Sequence, residues 1–332
     1  MNNVLLIGTI PPPIGGISVH LDRFLYLYDG GHFKLSLLDM KKRKLFSNMK
    51  STKSIIYILK IFLAAKIIHI HVSNNYIKTV VALLSKLFLK KVIYTHHNSI
   101  VNNRGIFRLM YRVCDQIILV NDKEIDNKLV INSKTEVIPA FLPPYNLERL
   151  PSELEQNINS YSRVISTNCY LYNLYKGKHV YGFDVIVNAF YNLSKLKKVE
   201  NTLLVLVDPS GTTEVFVNDL LEGLNFGTNK VLYIPKRVDF VSLVKKSSLT
   251  IRATRTDGDS ISVRESLYFG VPIIASDVTE RPEGTITFKN EDVEDLSKTI
   301  VSTLSMKEKV NYRNLDYGEM VIKSYDNVLG TS

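Results

Sequence analysis

The sequence is poor in cysteine and has no long apolar run. Only Cys114 and Cys169 occur among its 332 residues, so a framework of several disulfides is excluded and a reducing compartment is expected. The first 21 residues are uncharged but contain prolines and Gly15-Gly16, which would break a spanning helix. Later uncharged runs reach 12 residues, whereas a bilayer span needs about 20. These absences predict a cytoplasmic protein without a transmembrane helix.

Acidic residues are scarce in the first half of the chain. Residues 1–150 hold 21 Lys or Arg and 9 Asp or Glu, a net charge of +12, whereas residues 151–332 hold 21 and 23, a net charge of −2. This asymmetry predicts two domains with different partners. A basic half suits nucleic acid, an anionic membrane or an anionic substrate. The interleaved aromatic and basic residues of an RNA-binding module are absent, as is helix-turn-helix spacing, so nucleic acid is not expected.

The densest basic cluster, Lys41–Lys44, precedes an apolar stretch at Ile55–Leu63. A basic cluster followed by an apolar helix is what contact with a membrane surface needs. The alternative is a solvated loop followed by a helix that packs on its own sheet. The residues alone leave both interpretations open.

Short apolar strands alternate with helical segments along the whole chain, which predicts doubly wound parallel sheets. A proline-punctuated polar stretch from Pro139 to about Ser162 is the predicted linker between two such domains, whose strands would end around one central cleft. The predicted strands are Val4–Ile7, Phe33–Leu38, Ile67–Val72, Lys91–Thr95, Gln116–Val120 and Glu136–Ile138, then Arg163–Ser166, Thr202–Val207, Lys230–Ile234, Leu249–Arg252 and Pro272–Ala275.

Two candidate site segments lie in the first half. Gly15-Gly16 opens a helix after the first strand, where backbone N–H groups can approach a phosphate; a plain turn is the alternative. His20 lies one turn further on and is read first as a packing residue. Thr95-His96-His97-Asn98 follows a strand end, where ligand contacts are expected. A third metal ligand at useful spacing is missing, which favours a hydrogen-bonding histidine over a metal site.

The third candidate segment runs from Arg252 to Ser276. A strand enters a polar glycine-containing loop, and a helix begins near Ser260. Free N–H groups at a helix start can hold a diphosphate. Asp257 and Glu265, separated by seven residues, can face the same pocket and accept hydrogen bonds from sugar and ribose hydroxyls.

These segments together resemble the retaining, GT-B-fold glycosyltransferases of family 4, of the type that builds bacterial surface polysaccharides. Gly15-Gly16 with His20 is similar to the family's Gly-Gly-x-x-x-His, and Thr95-x-His97-Asn98 to its Thr-x-His-Asp. Asp257 and Glu265 are similar to its spaced acidic pair, and the segment 270–276 (Gly-Val-Pro-Ile-Ile-Ala-Ser) to the strand that follows. Tyr181-Gly182-Phe183-Asp184 stands where the family has Lys-Gly-x-Asp.

The resemblance implies a GT-B architecture of two Rossmann-like domains. Residues 1–150 would bind the acceptor and residues 151–310 the nucleotide-sugar, and a helix within residues 311–332 would cross back to the first domain. Glu265 would bind the ribose, Asp257 and His97 would contact the donor sugar, and Lys236 with Arg237 would contact the base. The implied catalytic residues are His97 and Asp257; the implied donor-binding residues are Gly15, Gly16, Lys236, Arg255, Gly258, Asp259, Ser260, Ile261, Ser262 and Glu265.

The implied reaction transfers a sugar from a nucleotide diphosphate, a UDP-sugar first, to a lipid-diphosphate-linked glycan, with retention and without metal or cofactor. Two departures bear on the donor. Tyr181 replaces the family's diphosphate-clamping Lys, for which Lys176, Lys178, Arg252 or Arg255 could substitute, and Asp257 replaces a Glu. A nucleotide-sugar epimerase or a non-catalytic nucleotide-sugar-binding scaffold on this fold are the alternatives. The expected location is the cytoplasm, with the inner face of the membrane as a further expectation.

Overall fold

The structure is a computed structural model that describes residues 2–12, 15–47, 50–97, 105–120, 134–306 and 316–330. Their internal contacts group the chain into two compact units. Unit 1 comprises Met1–Tyr145 together with Leu315–Ser332, and unit 2 comprises Asn146–Asn314.

Unit 1 is built on one eight-stranded sheet in the order β4-β3-β2-β1-β5-β6-β7-β8. All its pairs are parallel except those that join β3 to its two neighbours. Its strands are β1 (Asn2–Gly8), β2 (Phe33–Asp39), β3 (Lys44–Ser47), β4 (Lys50–Thr52), β5 (Ile67–Ile70), β6 (Lys91–His96), β7 (Gln116–Leu119) and β8 (Thr135–Val137). Its helices are α1 (Gly16–Tyr28), α2 (Ile55–Ala64), α3 (Asn75–Leu87), α4 (Ile106–Val113) and α11 (Tyr317–Leu329).

The strands of unit 1 are apolar on both faces, because helices cover both sides of a parallel sheet. On one face, Ile7, Ile70 and Tyr94 form a buried cluster against which side chains of α2, α3 and α4 pack. On the other face, Phe24 of α1 and Tyr325 of α11 are fully buried, with their rings 6.3 Å apart.

Lys41, Lys42 and Arg43 of the basic cluster lie in the turn between β2 and β3, whereas Lys44 begins β3, so the interpretation of this segment as a loop is wrong from Lys44 onward. Lys44–Ser47 pairs antiparallel with β2, and Lys50–Thr52 extends the sheet edge. Sequence patterning misses this hairpin because its strands are short and carry lysines, as edge strands commonly do.

Unit 2 is built on a six-stranded parallel sheet in the order β13-β12-β9-β14-β15-β16, with a separate two-stranded hairpin. Its strands are β9 (Arg163–Asn168), β10 (Leu174–Tyr175), β11 (Lys178–His179), β12 (Thr202–Val207), β13 (Lys230–Ile234), β14 (Leu249–Arg252), β15 (Ile273–Ser276) and β16 (Ile286–Phe288). Its helices are α5 (Ser152–Asn159), α6 (Phe183–Lys195), α7 (Glu214–Leu221), α8 (Phe240–Lys246), α9 (Ile261–Tyr268) and α10 (Val293–Leu304).

The predicted linker is wrong over residues 152–159, about a third of its length. Residues 152–159 form α5, and Leu154 and Ile158 of this helix are buried in the same cluster as Val164 and Leu203. The segment reads as polar because six of its eight residues are polar or charged, which conceals the apolar pair Leu154 and Ile158 at i, i+4 spacing.

The predicted fold class is confirmed: each unit is a Rossmann-like α/β layer structure in which parallel strands alternate with helices. Among the residues described, no helix combines the length and the apolar composition needed to cross a membrane.

Candidate functional site

The loop between β14 and α9 forms the centre of the candidate site in unit 2. β14 is buried and pairs in parallel with both β9 and β15, so its carboxyl end opens at the edge where such sheets bind ligands. Ser260 is the N-cap of α9 but makes no capping hydrogen bond with its side chain, and its hydroxyl instead lies 3.1 Å from that of Ser262. The first turn of α9 therefore keeps backbone N–H groups that a bound anion can use.

Asp257 is held by two arginines in this loop. Arg252 donates from Nε and Nη2 to the two carboxylate oxygens at 3.1 and 3.2 Å, and Arg281 donates from Nη1 at 2.9 Å. Thr254 donates its hydroxyl at 3.0 Å. Burial acts to raise the pKa of Asp257, but the charges and hydrogen bonds of the arginines outweigh it and lower the pKa to about 2. Two guanidinium groups against one carboxylate leave this cluster with a net positive charge.

Arg281 is a candidate site residue that the sequence analysis missed. Its side chain is only 3% exposed, and it also donates from Nε to the Ser276 carbonyl at 2.9 Å. It lies in the loop after β15, five residues beyond the end of the Gly-x-Pro strand. A lone arginine in a loop has no periodicity or motif that would mark it, so only the fold brings it to Asp257.

Asp259 and Glu265, both predicted donor-binding residues, lie around the start of α9; the Asp259 side chain is 10% exposed and Glu265 is buried. Arg264 donates from Nε to Asp259 at 2.6 Å. Burial raises the pKa of Asp259 despite this partner. Glu265 is 6% exposed and lies in the second turn of α9. Gly258 is exposed, and its N–H donates to Asp257 at 3.2 Å. Their contacts with a donor stay predictions.

Arg255, also predicted to bind the donor, lies in an ion-pair network. Its guanidinium donates to both oxygens of Asp184 at 3.0 and 2.7 Å, to Glu291 at 3.0 Å and to the carbonyl of His179. Lys178 pairs with the same Glu291. This network connects the β14–α9 loop to the first turn of α6 and to the β10–β11 hairpin.

Two of the four residues that could substitute for the family's diphosphate-clamping Lys, Arg252 and Arg255, lie in the β14–α9 segment. Arg252 is the more accessible of the two. Its guanidinium lies 5.3 Å from the centroid of the Tyr181 ring, within the range of a cation–π contact. Its side chain is 16% exposed, against 3% for Arg255. Lys236, predicted to contact the base, is exposed just after β13, and its neighbour Arg237 pairs with Glu148.

In unit 1, four histidines gather at the carboxyl ends of β1, β5 and β6. His71 Nδ1 lies 3.0 Å from His97 Nε2, and the His20 ring lies 5.4 and 5.5 Å from the rings of His71 and His97. His69 bonds Thr95 and Tyr325, each at 2.7 Å. The sequence pattern predicts a sugar contact for His97 and first a packing role for His20, and it gives His69 and His71 no part in the site.

Burial keeps these histidines neutral. It lowers the pKa of His20 to about 4 and those of His69, His71 and His97 well below the usual value. The Ala140 carbonyl, 2.7 Å from His20 Nδ1, can only accept, so Nδ1 carries the proton of His20. His71 Nε2 is buried and has no partner among the described residues. Neutral imidazoles of this kind can donate to or accept from uncharged hydroxyls.

Gly15 and Gly16 lie at the start of α1 in the same unit. Gly15 is the N-cap residue, and its N–H donates to the Ser18 hydroxyl at 2.9 Å. A Cβ at Gly16 would meet no atom of the described residues within 4 Å, so with respect to those residues the backbone there is open to a ligand. Asn98 of the predicted Thr-x-His-Asn motif lies outside the described residues. Within the described part of the chain, no three His, Cys, Asp or Glu side chains are grouped so as to hold a metal ion.

Comparison with known proteins defines the fold. No family model and no curated protein matches the sequence. Among solved structures, a glycosyltransferase from Rickettsia africae superposes with a TM-score of 0.71 at 17% identity over 100% of both chains. HepE from Anabaena, solved in complex with UDP-glucose, gives 0.62 at 13% identity over 99% of this chain and 98% of HepE. The protein assigned as UDP-N-acetylglucosamine 2-epimerase from Listeria monocytogenes gives 0.64 at 14% identity over 99% and 97%.

These matches extend over the whole chain, and their shared architecture is the GT-B fold of two Rossmann-like domains. The chain therefore has the GT-B fold. Identities of this size define the architecture and leave the activity to be argued from the residues.

Proposed function

We propose that the protein is a glycosyltransferase that takes a sugar from a nucleotide-diphosphate donor. The observation that carries the proposal is the uncapped start of α9 beside the Arg252–Asp257–Arg281 cluster. Helix N–H groups and a net positive cluster suit a diphosphate. HepE, which shares the fold, was solved with UDP-glucose, and this supports a UDP-sugar as the donor to test first.

In this proposal each residue has a distinct role toward the donor. Glu265 accepts hydrogen bonds from the ribose, and Lys236 faces the base. The N–H groups of residues 259–262, with Gly15 and Gly16, hold the diphosphate. Arg252 supplies the positive charge that the family places at the position of Tyr181, over whose ring it lies. Asp257, whose oxygens already accept from Arg252 and Arg281, positions Arg252 in addition to any contact with the sugar.

The proposed chemistry breaks the bond between the anomeric carbon and the diphosphate, and the departing phosphate oxygen gains negative charge. N–H dipoles and Arg252 stabilise that charge through electrostatic preorganisation. The acceptor hydroxyl attacks the same face of the sugar and passes its proton to the departing phosphate, so the configuration is retained. His97 hydrogen-bonds hydroxyls of the transferred sugar. No enzyme carboxylate acts as a nucleophile in this scheme, and no metal is required by it.

The proposed acceptor is a lipid-diphosphate-linked glycan used in surface-polysaccharide synthesis, reached at the inner face of the cytoplasmic membrane. Its support is the net charge of +12 over residues 1–150, which suits a phosphorylated lipid at an anionic surface.

A nucleotide-sugar epimerase is the second candidate, favoured by the fold match with the Listeria protein assigned to that activity. An epimerase converts the nucleotide-sugar without any acceptor. Incubation of the protein with UDP-sugars alone, followed by nuclear magnetic resonance of the sugar, distinguishes the two. Appearance of the epimeric sugar would reject the transferase proposal. A scaffold would bind the nucleotide and turn over neither substrate.

Calorimetric titration with UDP and with GDP, without added metal, tests the donor site. We expect the wild type to bind one of them more tightly, and Glu265→Ala to weaken that binding by about tenfold or more, as for a lost charged hydrogen bond. Arg252→Gln should weaken it to a similar extent. Glu214→Ala, which removes an exposed carboxylate from α7 in the same unit, is the matched control.

The proposal fails if the folded wild type binds neither nucleotide. It also fails if Glu265→Ala and Arg252→Gln leave the affinity equal to that of Glu214→Ala.

A further inference from the structure

Helices α2 and α3 of unit 1 expose an unusual number of large apolar side chains. Of the 25 exposed large hydrophobic residues among those described, 12 lie between residues 55 and 89. Ile56 is 81% exposed and Leu87 is 75% exposed. Ordinary surface helices turn such residues inward, so the concentration indicates a contact surface. We call it the α2–α3 face; its residues are Ile55, Ile56, Tyr57, Leu59, Leu63, Tyr76, Ile77, Val80, Leu84, Leu87, Phe88 and Leu89.

The two helices lie side by side on one side of the sheet. Ile58 and Phe62 of α2 and Val81 of α3 pack against the same buried cluster. The Phe62 and Phe88 rings are 5.6 Å apart, and Lys90 donates to the Leu63 carbonyl at 2.6 Å. The inward side of each helix thus anchors it to the sheet, and the apolar side chains that point away from this cluster are exposed on both helices.

The α2–α3 face lies within an acid-free part of the chain. Between Asp39 and Asp115 there is no Asp or Glu, and there are 15 Lys or Arg. Lys53 precedes α2 and Lys60 is its only charged residue, and both are exposed. Arg108 and Arg112 are exposed on the neighbouring α4. Asp115 lies next to this stretch and pairs with Lys86 of α3 and with Lys91, so basic residues remain in large excess around the face. An apolar face with such an excess of cations is complementary to anionic headgroups over an acyl interior.

We infer that the α2–α3 face docks on an anionic lipid bilayer, lying in the headgroup layer without crossing it. This inference rests on the proposed function and deepens it. It names the surface that would bring unit 1 to a lipid-linked acceptor. The helices have 10 and 13 residues, about 15 and 20 Å, shorter than the roughly 30 Å hydrocarbon core. A second copy of the chain is a poor occupant, because two faces that each carry a large excess of basic residues repel each other.

The topology also shows which edge of the sheet the α2–α3 face adjoins. Each helix of a parallel crossover begins at the carboxyl edge of the sheet, so α2 and α3 both begin there. Lys41 and Arg43 are exposed in the turn at the end of β2, on the same edge. His71 and His97 follow β5 and β6 on this edge as well. The headgroup contacts therefore reach the edge that carries the histidine cluster.

Co-sedimentation with vesicles of phosphatidylcholine, with and without phosphatidylglycerol, tests the inference on the full chain. We expect binding only to the anionic vesicles. Ile56→Ser with Leu87→Ser should lower the partition coefficient at least about tenfold. Lys53→Gln with Lys60→Gln should do the same, and added salt should remove the remaining difference between the two vesicle types.

Matched controls come from unit 2. Val215 and Leu196 are 74% and 66% exposed, so Val215→Ser with Leu196→Ser removes equally exposed apolar groups elsewhere. Lys195→Gln with Lys198→Gln removes two exposed charges. Neither pair should change the partition coefficient by more than about twofold.

Three outcomes would overturn the inference. The inference fails if the folded wild type binds neither vesicle type or binds both types equally. It also fails if the protein self-associates without lipid and Ile56→Ser with Leu87→Ser abolishes this association. The last result would make the face an interface between copies. Loss of UDP binding with intact vesicle binding would reject the proposed function and leave this inference standing.

Discussion

At the scale of single residues, Asp257 shows how the candidate donor site is organised. Its carboxylate is 10% exposed and accepts from two arginines that are less than one fifth exposed. The lowered pKa of Asp257, about 2 against a usual 3.8, means that folding favours its charged form. By linkage this stabilisation is present above about pH 4 and is lost as the pH falls towards 2, and it amounts to about 2 kcal/mol.

We predict that Arg281→Ala lowers the free energy of unfolding at neutral pH by about 3 kcal/mol, because it removes one of the two guanidinium partners of the buried Asp257 carboxylate and the donor to two oxygens of Ser276. Urea denaturation measures it. Arg237→Ala is the control, since Arg237 makes a bidentate pair with Glu148 that is about half exposed on both sides. Loss of that pair should lower the free energy of unfolding by less than about 1 kcal/mol. Equal losses from the two variants would contradict the buried-cluster interpretation.

The difference between Arg281 and Arg255 shows what a sequence can reveal at this scale. Arg255 stands within a recognisable segment, so it was a natural candidate for the donor, yet its partners are Asp184, Glu291 and a carbonyl. Arg281 lies in a loop without a motif and reaches the acidic residue of that segment. Spacing identifies the segment that carries a site. It does not identify the side chains that separate strands bring to it.

At the scale of elements, Gly182 joins two loops of unit 2. It is the N-cap residue of α6, with φ of +63°, and a Cβ there would lie 2.1 Å from the Ala253 carbonyl oxygen. The backbone after β14 therefore packs directly on the start of α6. Arg255 strengthens the same junction through the first-turn residue Asp184 and a backbone bond from its N–H to Val180.

We predict that Gly182→Ala costs at least about 3 kcal/mol of stability, since it adds a backbone clash to the roughly 1 kcal/mol or more of a left-handed residue. UDP affinity should fall with it, because the clash moves the β14–α9 loop. Gly223→Ala is the matched control, with φ of +70° and open space around its Cβ. Gly223→Ala should lower stability only by the cost of placing a non-glycine residue in the left-handed region, and it should leave UDP affinity unchanged. Thermal unfolding measures the stability of both variants, and calorimetry measures their UDP affinity. Equal losses of stability and of affinity in the two variants would refute the packing argument.

Element periodicity was strong enough to predict the Rossmann-like units but not their edges. Buried parallel strands are near-continuous apolar runs, which a sequence displays directly, as in Val4–Ile7 and Thr202–Val207. The edge strands β3 and β4 and the short helix α5 carry few apolar residues, and tertiary contacts define them. The apolar stretch in α2 was visible as well, but its outward exposure follows only from which of its sides packs on the sheet.

At the scale of the whole molecule, the two units differ in how many histidines they bury. Unit 1 contains five histidines whose pKa is lowered chiefly by burial: His20 and His96 to about 4, and His69, His71 and His97 well below the usual value. Unit 2 contains one, His179, also lowered to about 4 by burial. Below about pH 6.5 the unfolded chain takes up protons that these folded histidines exclude.

The resulting prediction is that unit 1 loses stability before unit 2 on acidification. Each suppressed histidine contributes a loss of about 1.4 kcal/mol per pH unit between about 6.5 and its folded pKa, and the loss is absent above that range. Hydrogen–deuterium exchange at pH 7 and near pH 5.5, corrected for intrinsic rates, should show protection falling first in β1, β5 and β6. The strands β9 and β12 of unit 2 serve as the internal reference. Parallel loss of protection in both sheets would contradict the prediction, because it would mean that the buried histidines of unit 1 do not set its stability.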